Sequence, residues 1–276
     1  MHTHTSWTNC VITPEARLTP FVRCFAQRDI LAQSSQLVQT AIASLENVLA
    51  FHLSGRPILD GGSTTGVVPA MHLFGTQTRP PGCFRFSGSF STFAIFLKPF
   101  ASWTLFRIPP AEFADQQFSA RDVFGPWMTE LWFRLAECES LGERIRVATE
   151  ALLPFAEHAS PLTRTMAAAH RLVQTDFEKR VPQLARESCM SVRTFERKFV
   201  AEMGLPPKLF ARLRRFQLAL DRKRVSGTTW LDVAHDLGYF DQMHMVKEFR
   251  AFGGDAPSLL LGKCGDYQPS SLDAAL

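Results

Sequence analysis

The sequence predicts an α+β protein. A β-rich N-terminal domain, barrel- or sandwich-like with flanking helices, precedes an all-α domain of two helix-turn-helix units joined by a linker helix. Three observations predict it. Short apolar runs between turn clusters such as LDGGSTTG and TRPPG fill the first hundred or so residues, the signature of many short strands. Further on, apolar residues recur at three- and four-residue intervals, the helical period. Last, the helical part concentrates positive charge in one block and repeats the same cap, core and closing-turn arrangement twice. The changes in pattern place the β-rich domain with its C-terminal helices at 1–158, the helical domain at 159–262 and a flexible tail at 263–276.

Taken in order, ENVLAFHLSG, AMHLFGTQ, GCFRFSGSF and STFAIFLK read as strands, several of them alternating. The stretch from Gly125 to Ser160 places Leu131, Leu135 and Cys138, then Ile145, Ala148 and Leu152, on helical faces. It reads as two helices broken near Ser140 to Gly142, packed on the β domain or paired with a second subunit. Ser160 and Pro161 mark the start of the next helix, because Pro is tolerated in a first turn. From there to about Leu261 the chain reads as helices separated by short turns.

The composition narrows the class. With 46% hydrophobic and 20% charged residues, the chain can build ordinary cores. MHTHTSWTNC lacks the basic and apolar regions of a secretory signal. TFAIFLKPFASWTLF is interrupted by Lys98 and Pro99 and is too short for a membrane span. The six cysteines (Cys10, Cys24, Cys83, Cys138, Cys189, Cys264) are scattered, as reduced thiols in a cytoplasm are. A cytoplasmic location is expected, with no membrane partner. The net charge is +4, yet Arg180 to Arg224 holds twelve basic residues against four acidic ones, and Val225 to Gly262 holds two against five. So dense a basic block is a solvated face or the footprint of a nucleic-acid binder.

In the first repeat, Leu184 and Ala185 face inward on a short helix, Cys189 and Met190 turn, and Ser191 caps a helix held down by Phe195 and Phe199. In the second, Val233 and Ala234 face inward, Gly238 to Phe240 turn, and Asp241 caps a helix with Met245, Phe249 and Phe252 on its dry side. Gly204 and Gly254 suit the left-handed turn that ends a helix, and a Pro follows each. Between the units, Phe210, Leu213 and Leu220 line one side of a longer helix and its arginines another. Two units on a rigid linker can enter successive major grooves of a duplex.

These residues resemble the AraC/XylS family of bacterial transcription regulators from roughly Thr163 to Leu261. The likeness is carried by LARESCMSVRTFERKF, GLPP, the spacing of Arg212, Arg215 and Ala219, and VAHDLGYFDQMHMVKEFRAFGGDAP. The resemblance implies a sequence-specific regulator bound to double-stranded promoter DNA, with RNA polymerase as a neighbouring partner and a homodimer as the assembly. It implies base contacts from Arg193, Glu196 and Arg197 and from Gln242, Met243 and Lys247, with Ser191, Arg212, Arg215 and His244 toward the DNA backbone. Arg193 and Arg197 can fork onto guanine and Gln242 can pair with adenine. Glu196 accepts from cytosine or tethers a neighbouring Arg; Arg212 and Arg215 hold phosphate or brace their helix. His244 reaches a phosphate or is a partly buried structural residue. Met243 and Val246 suit thymine methyl groups. Met245 stands where the family usually has Phe, a swap that keeps volume. The second unit is net acidic, so the first is expected to supply most of the affinity and salt dependence.

The N-terminal domain is expected to bind a small-molecule effector, to dimerise, or both; FLKPFASWTLFRIPPAEFADQQFSARDVFG resembles the close of sensor domains on such regulators. Phe51, Phe74, Phe84, Phe86, Phe93, Phe96 and Phe106 can line a pocket or simply fill a core. Arg79, Arg85 and Lys98 are candidate partners for an anionic effector, or exposed charges. A cupin-like enzyme fused to a DNA-binding module is the competing class. His52 and His72 are not in the close His-x-His spacing that metal sites of such barrels use, and no nucleophile elbow, phosphate loop or dinucleotide fingerprint appears. No catalytic set, cofactor or metal is expected.

Overall fold

The computed structural model describes residues 6–31, 37–61, 65–174, 181–225 and 227–264. The strands are β1 (Ser6–Ile12), β2 (Val22–Leu31), β3 (Leu37–Ala41), β4 (Asn47–Ser54), β5 (Ile58–Asp60), β6 (Gly66–Val67), β7 (Met71–Phe74), β8 (Gly82–Phe86), β9 (Phe90–Leu97) and β10 (Gln117–Ser119). They form an antiparallel six-stranded sheet, β1-β2-β9-β4-β7-β10, and a four-stranded one, β3-β8-β5-β6.

Alternation along the large sheet decides what each face does. Phe25, Leu49, Phe51, Leu73, Phe93 and Ile95 point to one side, where they form a core with helices. These are α1 (Ala101–Phe106), α2 (Ala120–Phe124), α3 (Trp127–Glu137) and α4 (Leu141–Glu157). Met128, Leu131, Leu135, Val147, Ala148 and Leu152 are the helical half of that core, so α3 and α4 pack on their own β domain. The break between them is a capping box: Ser140 accepts from the Glu143 amide while the Glu143 carboxylate takes the Ser140 amide. Trp132 ties α3 to the sheet by donating Nε1–H to the His52 carbonyl over 3.0 Å.

The second half is α5 (Arg164–Gln174), α6 (Val181–Glu187), α7 (Val192–Met203), α8 (Pro207–Val225), α9 (Trp230–Asp236), α10 (Gln242–Gly253) and α11 (Pro257–Cys264). Two details differ from the sequence reading. The helix expected at Ser160 begins three residues later, because Thr163 is the cap: its hydroxyl accepts from the Met166 amide at 3.1 Å. The tail placed at 263–276 loses its first two residues to α11, and residues 265–276 lie outside those described.

One segment of the β domain, residues 42–46, is built into the helical half. Ile42, Ala43 and Leu45 join the core of Phe195, Phe199, Phe216 and Phe249. The Ala43 amide donates to the Phe252 carbonyl at 2.8 Å, and Gln217 Nε2 donates to Ser44 Oγ at 3.4 Å. Beneath them Arg23 of β2 forms a buried ion pair with Glu46 at 2.6 Å, and Asp221 of α8 adds negative charge that further favours the buried guanidinium. Lys98 is buried nearby; desolvation, and then the Arg23 charge, push it down to about 8. Buried charges are tolerated only when compensated, and here the compensation crosses the domain boundary.

Candidate DNA-binding surface and sensor cavity

In the first unit Leu184 and Ala185 are buried, and the Met190 amide closes the turn onto the Ala185 carbonyl at 2.9 Å. Ser191 caps α7, accepting from the Thr194 amide at 3.2 Å while donating to the Thr194 hydroxyl at 2.9 Å. Phe195 and Phe199 are fully buried one turn apart, which leaves Arg193, Glu196, Arg197 and Lys198 exposed together. No ion pair joins Glu196 to either arginine among the described residues, so the tether considered above is not formed in the free protein.

In the second unit Thr229 and Asp232 make a capping box on α9, and Asp241 caps α10, accepting from the His244 amide at 2.6 Å. Met245, Phe249 and Phe252 are buried; Gln242, Met243 and Lys247 are exposed. Glu248, one of the five acids counted between Val225 and Gly262, is only 3% exposed. It accepts from Arg212 Nε at 2.8 Å and pairs with Arg215 at 3.3 Å. Arg215 also lies 4.3 Å over the Tyr239 ring and donates to the Gly238 carbonyl, while Arg212 lies over Phe252. Both arginines thus make bracing contacts within the domain, and Arg212 stays half-exposed. His244 packs on Tyr239 and approaches Glu248 at 3.6 Å, half-exposed at the same junction.

Sequence reasoning missed Glu248 and Phe240. Glu248 is three positions after Met245 and next to Phe249, so its place on the dry face was readable from the helical period. Phe240 is 91% exposed immediately before the cap, beside exposed Met243. Nothing local distinguishes it from a turn residue that packs inward.

The pairing redistributes charge. Arg212 and Arg215 are matched by Glu248, and Arg222 by Asp236 at 3.1 Å, so the linker's excess cancels the second unit's deficit across their contact. Arg193, Arg197 and Lys198 stay exposed on α7.

Both recognition helices end against the β domain. Gly204 (φ +80°) and Gly254 (φ +84°) take the left-handed closing turn. A Cβ on Gly204 would meet the Pro110 backbone at 3.0 Å, and one on Gly254 would touch Pro80 at 3.6 Å.

The two sheets enclose a cavity of about 80 Å³. On the large sheet it is lined by three successive cross-strand rows. Asn9, Arg28, Thr92 and His52 make a polar row; Ala26, Ala94 and Ala50, with His72, make the next; Phe96, Val48 and Phe74 make the third. The hollow exists because the middle row is mostly alanine where facing sheets normally interdigitate larger side chains. Of the seven phenylalanines considered from sequence, Phe74, Phe84, Phe86 and Phe96 line it. Phe51 and Phe93 face the helices by strand parity, and Phe106 packs with Phe124 and Phe155. The cation in the wall is Arg28, hydrogen-bonded to Gln39 at 2.9 Å. Arg85 instead pairs with Asp60 at the surface, and Lys98 is held in the domain interface. His52 and His72 are both buried; desolvation pushes them down to about 3 and about 4, aided at His52 by the His72 and Arg56 charges. Among the described residues no group of three or more His, Cys, Asp and Glu is gathered to hold a metal, and no helix is long and apolar enough to cross a membrane.

A helix-turn-helix domain family matches residues 184–262, and a domain of unknown function (DUF6597) matches residues 11–119. No curated protein matches the chain. Among solved structures it is similar to ToxT from Vibrio cholerae, at 10% identity over 94% of this chain and 100% of that one, TM-score 0.49. It is likewise similar to Vibrio cholerae ToxT bound to an unsaturated fatty acid, at 10% identity over 95% and 97%, TM-score 0.47. The helix-turn-helix match spans both capped and glycine-closed units, and it marks residues 184–262 as the DNA-binding part of a transcription regulator.

Proposed function

We propose that the protein recognises a promoter site of two short boxes about one helical turn apart, α7 and α10 each entering a major groove. The observation that carries this is the sorting of both helices: aromatic or Met side chains fully buried behind, Arg193, Glu196 and Arg197 or Gln242, Met243 and Lys247 exposed in front. In this reading Arg193 and Arg197 fork onto guanine, Gln242 pairs with adenine, Glu196 accepts from cytosine and Met243 meets a thymine methyl. Ser191, His244 and the half-exposed Arg212 lie toward phosphate, and Arg215 fixes the angle between linker and second helix.

Residues 1–158 would act as the sensor and 159–262, extended by α11, as the reader. A small-molecule effector in the cavity would set how the two recognition helices are presented, since Ser44 lines that cavity and also touches α8. The protein acts as a cytoplasmic homodimer with RNA polymerase as its promoter-bound partner and performs no chemistry of its own. Selection of bound sites from a random duplex pool at fixed salt tests the reading. Two enriched boxes are expected, and a single box would mean that α10 reads no bases. No enrichment by the full chain or by residues 159–276 would overturn it.

A further inference from the structure

The cavity has a chemistry of its own. His52, His72, Phe74, Phe84, Phe86 and Phe90 form a closed circuit of rings, each within 4.8 to 6.4 Å of the next. On the same sheet as His52, His72, Phe74 and Phe90 runs the alanine row of Ala26, Ala94 and Ala50, and Phe84 and Phe86 belong to the facing sheet. A row without side-chain bulk, bordered by rings on its own sheet and faced by two from the other, leaves a slot that offset or edge-to-face aromatic contacts can fill. The slot is polar along one side only. Arg28, Thr92 and His52 are direct partners on neighbouring strands, so the backbone positions of Arg28 and His52 stand two strand spacings, about 10 Å, apart and on the same face.

Three further facts select the guest. Neither ring nitrogen of His52, nor His72 Nε2, has a hydrogen-bond partner, although both side chains are more than nine-tenths buried in this wall. Buried polar atoms left without partners are rare, and both side chains line a cavity in which a guest can supply them. Arg28 carries a permanent charge, and no carboxylate of the protein lines the slot among the described residues. A cation is therefore disfavoured, although rings alone would suit one. The histidines are uncharged near neutral pH, so each can donate one N–H to an anion or accept from a hydroxyl.

We propose that the slot binds a small aromatic monoacid, its ring between the alanine row and Phe84 and Phe86 of the facing sheet, its carboxylate on Arg28 with His52 completing the polar side. The inference rests on the reading of this cavity as the effector site, and names the class of effector.

The test is calorimetric titration of the full chain, without DNA, using benzoate, trans-cinnamate and 2-naphthoate. Each acid is paired with its primary amide, and octanoate serves as an aliphatic control. At least one aromatic acid is expected to bind roughly tenfold tighter than its amide and tighter than octanoate, as a charge-assisted contact requires. Arg28→Gln should erase the difference between acid and amide. Ala94→Leu, which fills the alanine row, should weaken the acid by tenfold or more; Ala50→Val replaces it if that variant fails to unfold cooperatively.

Amides binding as well as acids, octanoate binding best, acid binding that survives the filled row, or no acid binding below about 1 mM would each overturn the proposal. DNA affinity measured on the same preparations separates the two readings. An acid that binds as expected but leaves DNA affinity unchanged removes the effector role and keeps the ligand class. Failed acid binding with intact DNA recognition removes only the ligand class.

Discussion

Gln217 of the linker helix donates to the Ser44 hydroxyl at 3.4 Å, so one side chain in the cavity wall also touches the segment between the two DNA-reading units. Ser44 passes the contact on by donating to Glu46 at 3.3 Å, and Glu46 holds Arg23. The nearby Ala43–Phe252 bond reaches the last turn of α10. The cavity wall at Ser44 thus meets α8 through one hydrogen bond, and its chain neighbour Ala43 meets α10.

This joint sets the first prediction. Glu46→Gln leaves the buried Arg23 without its carboxylate and should cost about 3–5 kcal/mol in urea unfolding. Gln217→Ala removes one neutral hydrogen bond and should cost about 1 kcal/mol. Equal, small losses from both variants would mean that the buried ion pair adds little to the stability of this joint.

Glu248 is the second test. Glu248→Gln removes the charge shared by Arg212 and Arg215 and should destabilise the helical half by about 3 kcal/mol or more. A cycle with Arg215→Met should show strong coupling, because the residues share one network. Additive losses would return Arg215 to a role on DNA.

The exposed cations of α7 set the third. Arg197→Ala should lower the slope of log affinity against log salt by about 1 and weaken binding more than Lys247→Ala does. Fluorescence anisotropy on a selected site at several salt concentrations reads both. A larger loss from the Lys247 variant would shift the main electrostatic contact to the second unit.

Protonation of the cavity histidines sets the fourth. Burial holds His52 at about 3 and His72 at about 4, below their ordinary 6.5. Between those values and 6.5 the unfolded chain binds more protons than the folded one. Their contribution is therefore complete above pH 6.5 and is lost as the pH falls. Each histidine should remove up to about 1.4 kcal/mol per pH unit in that window. Urea unfolding from pH about 7 to about 5 should show the decline, and His52→Gln should flatten it; an unchanged slope in the variant would place the titration elsewhere.

Within the helical half, the sequence by itself determined the caps Ser191 and Asp241, the buried Phe195, Phe199, Met245, Phe249 and Phe252, and the closing Gly204 and Gly254. Each of these depends on residues no more than a few positions away, through an i, i+3 or i, i+4 contact or a bond from a cap to the first turn. Tertiary structure alone decided that Glu248 receives Arg212 and Arg215 from 36 and 33 residues upstream. It also decided that Arg28, and not Arg79, Arg85 or Lys98, enters the cavity. Strand parity gives each residue a face, but register decides that Arg28, Thr92 and His52 stand in one row. The contact of Ser44 with Gln217 spans 173 residues and depends on how two domains dock, a choice that no local period encodes.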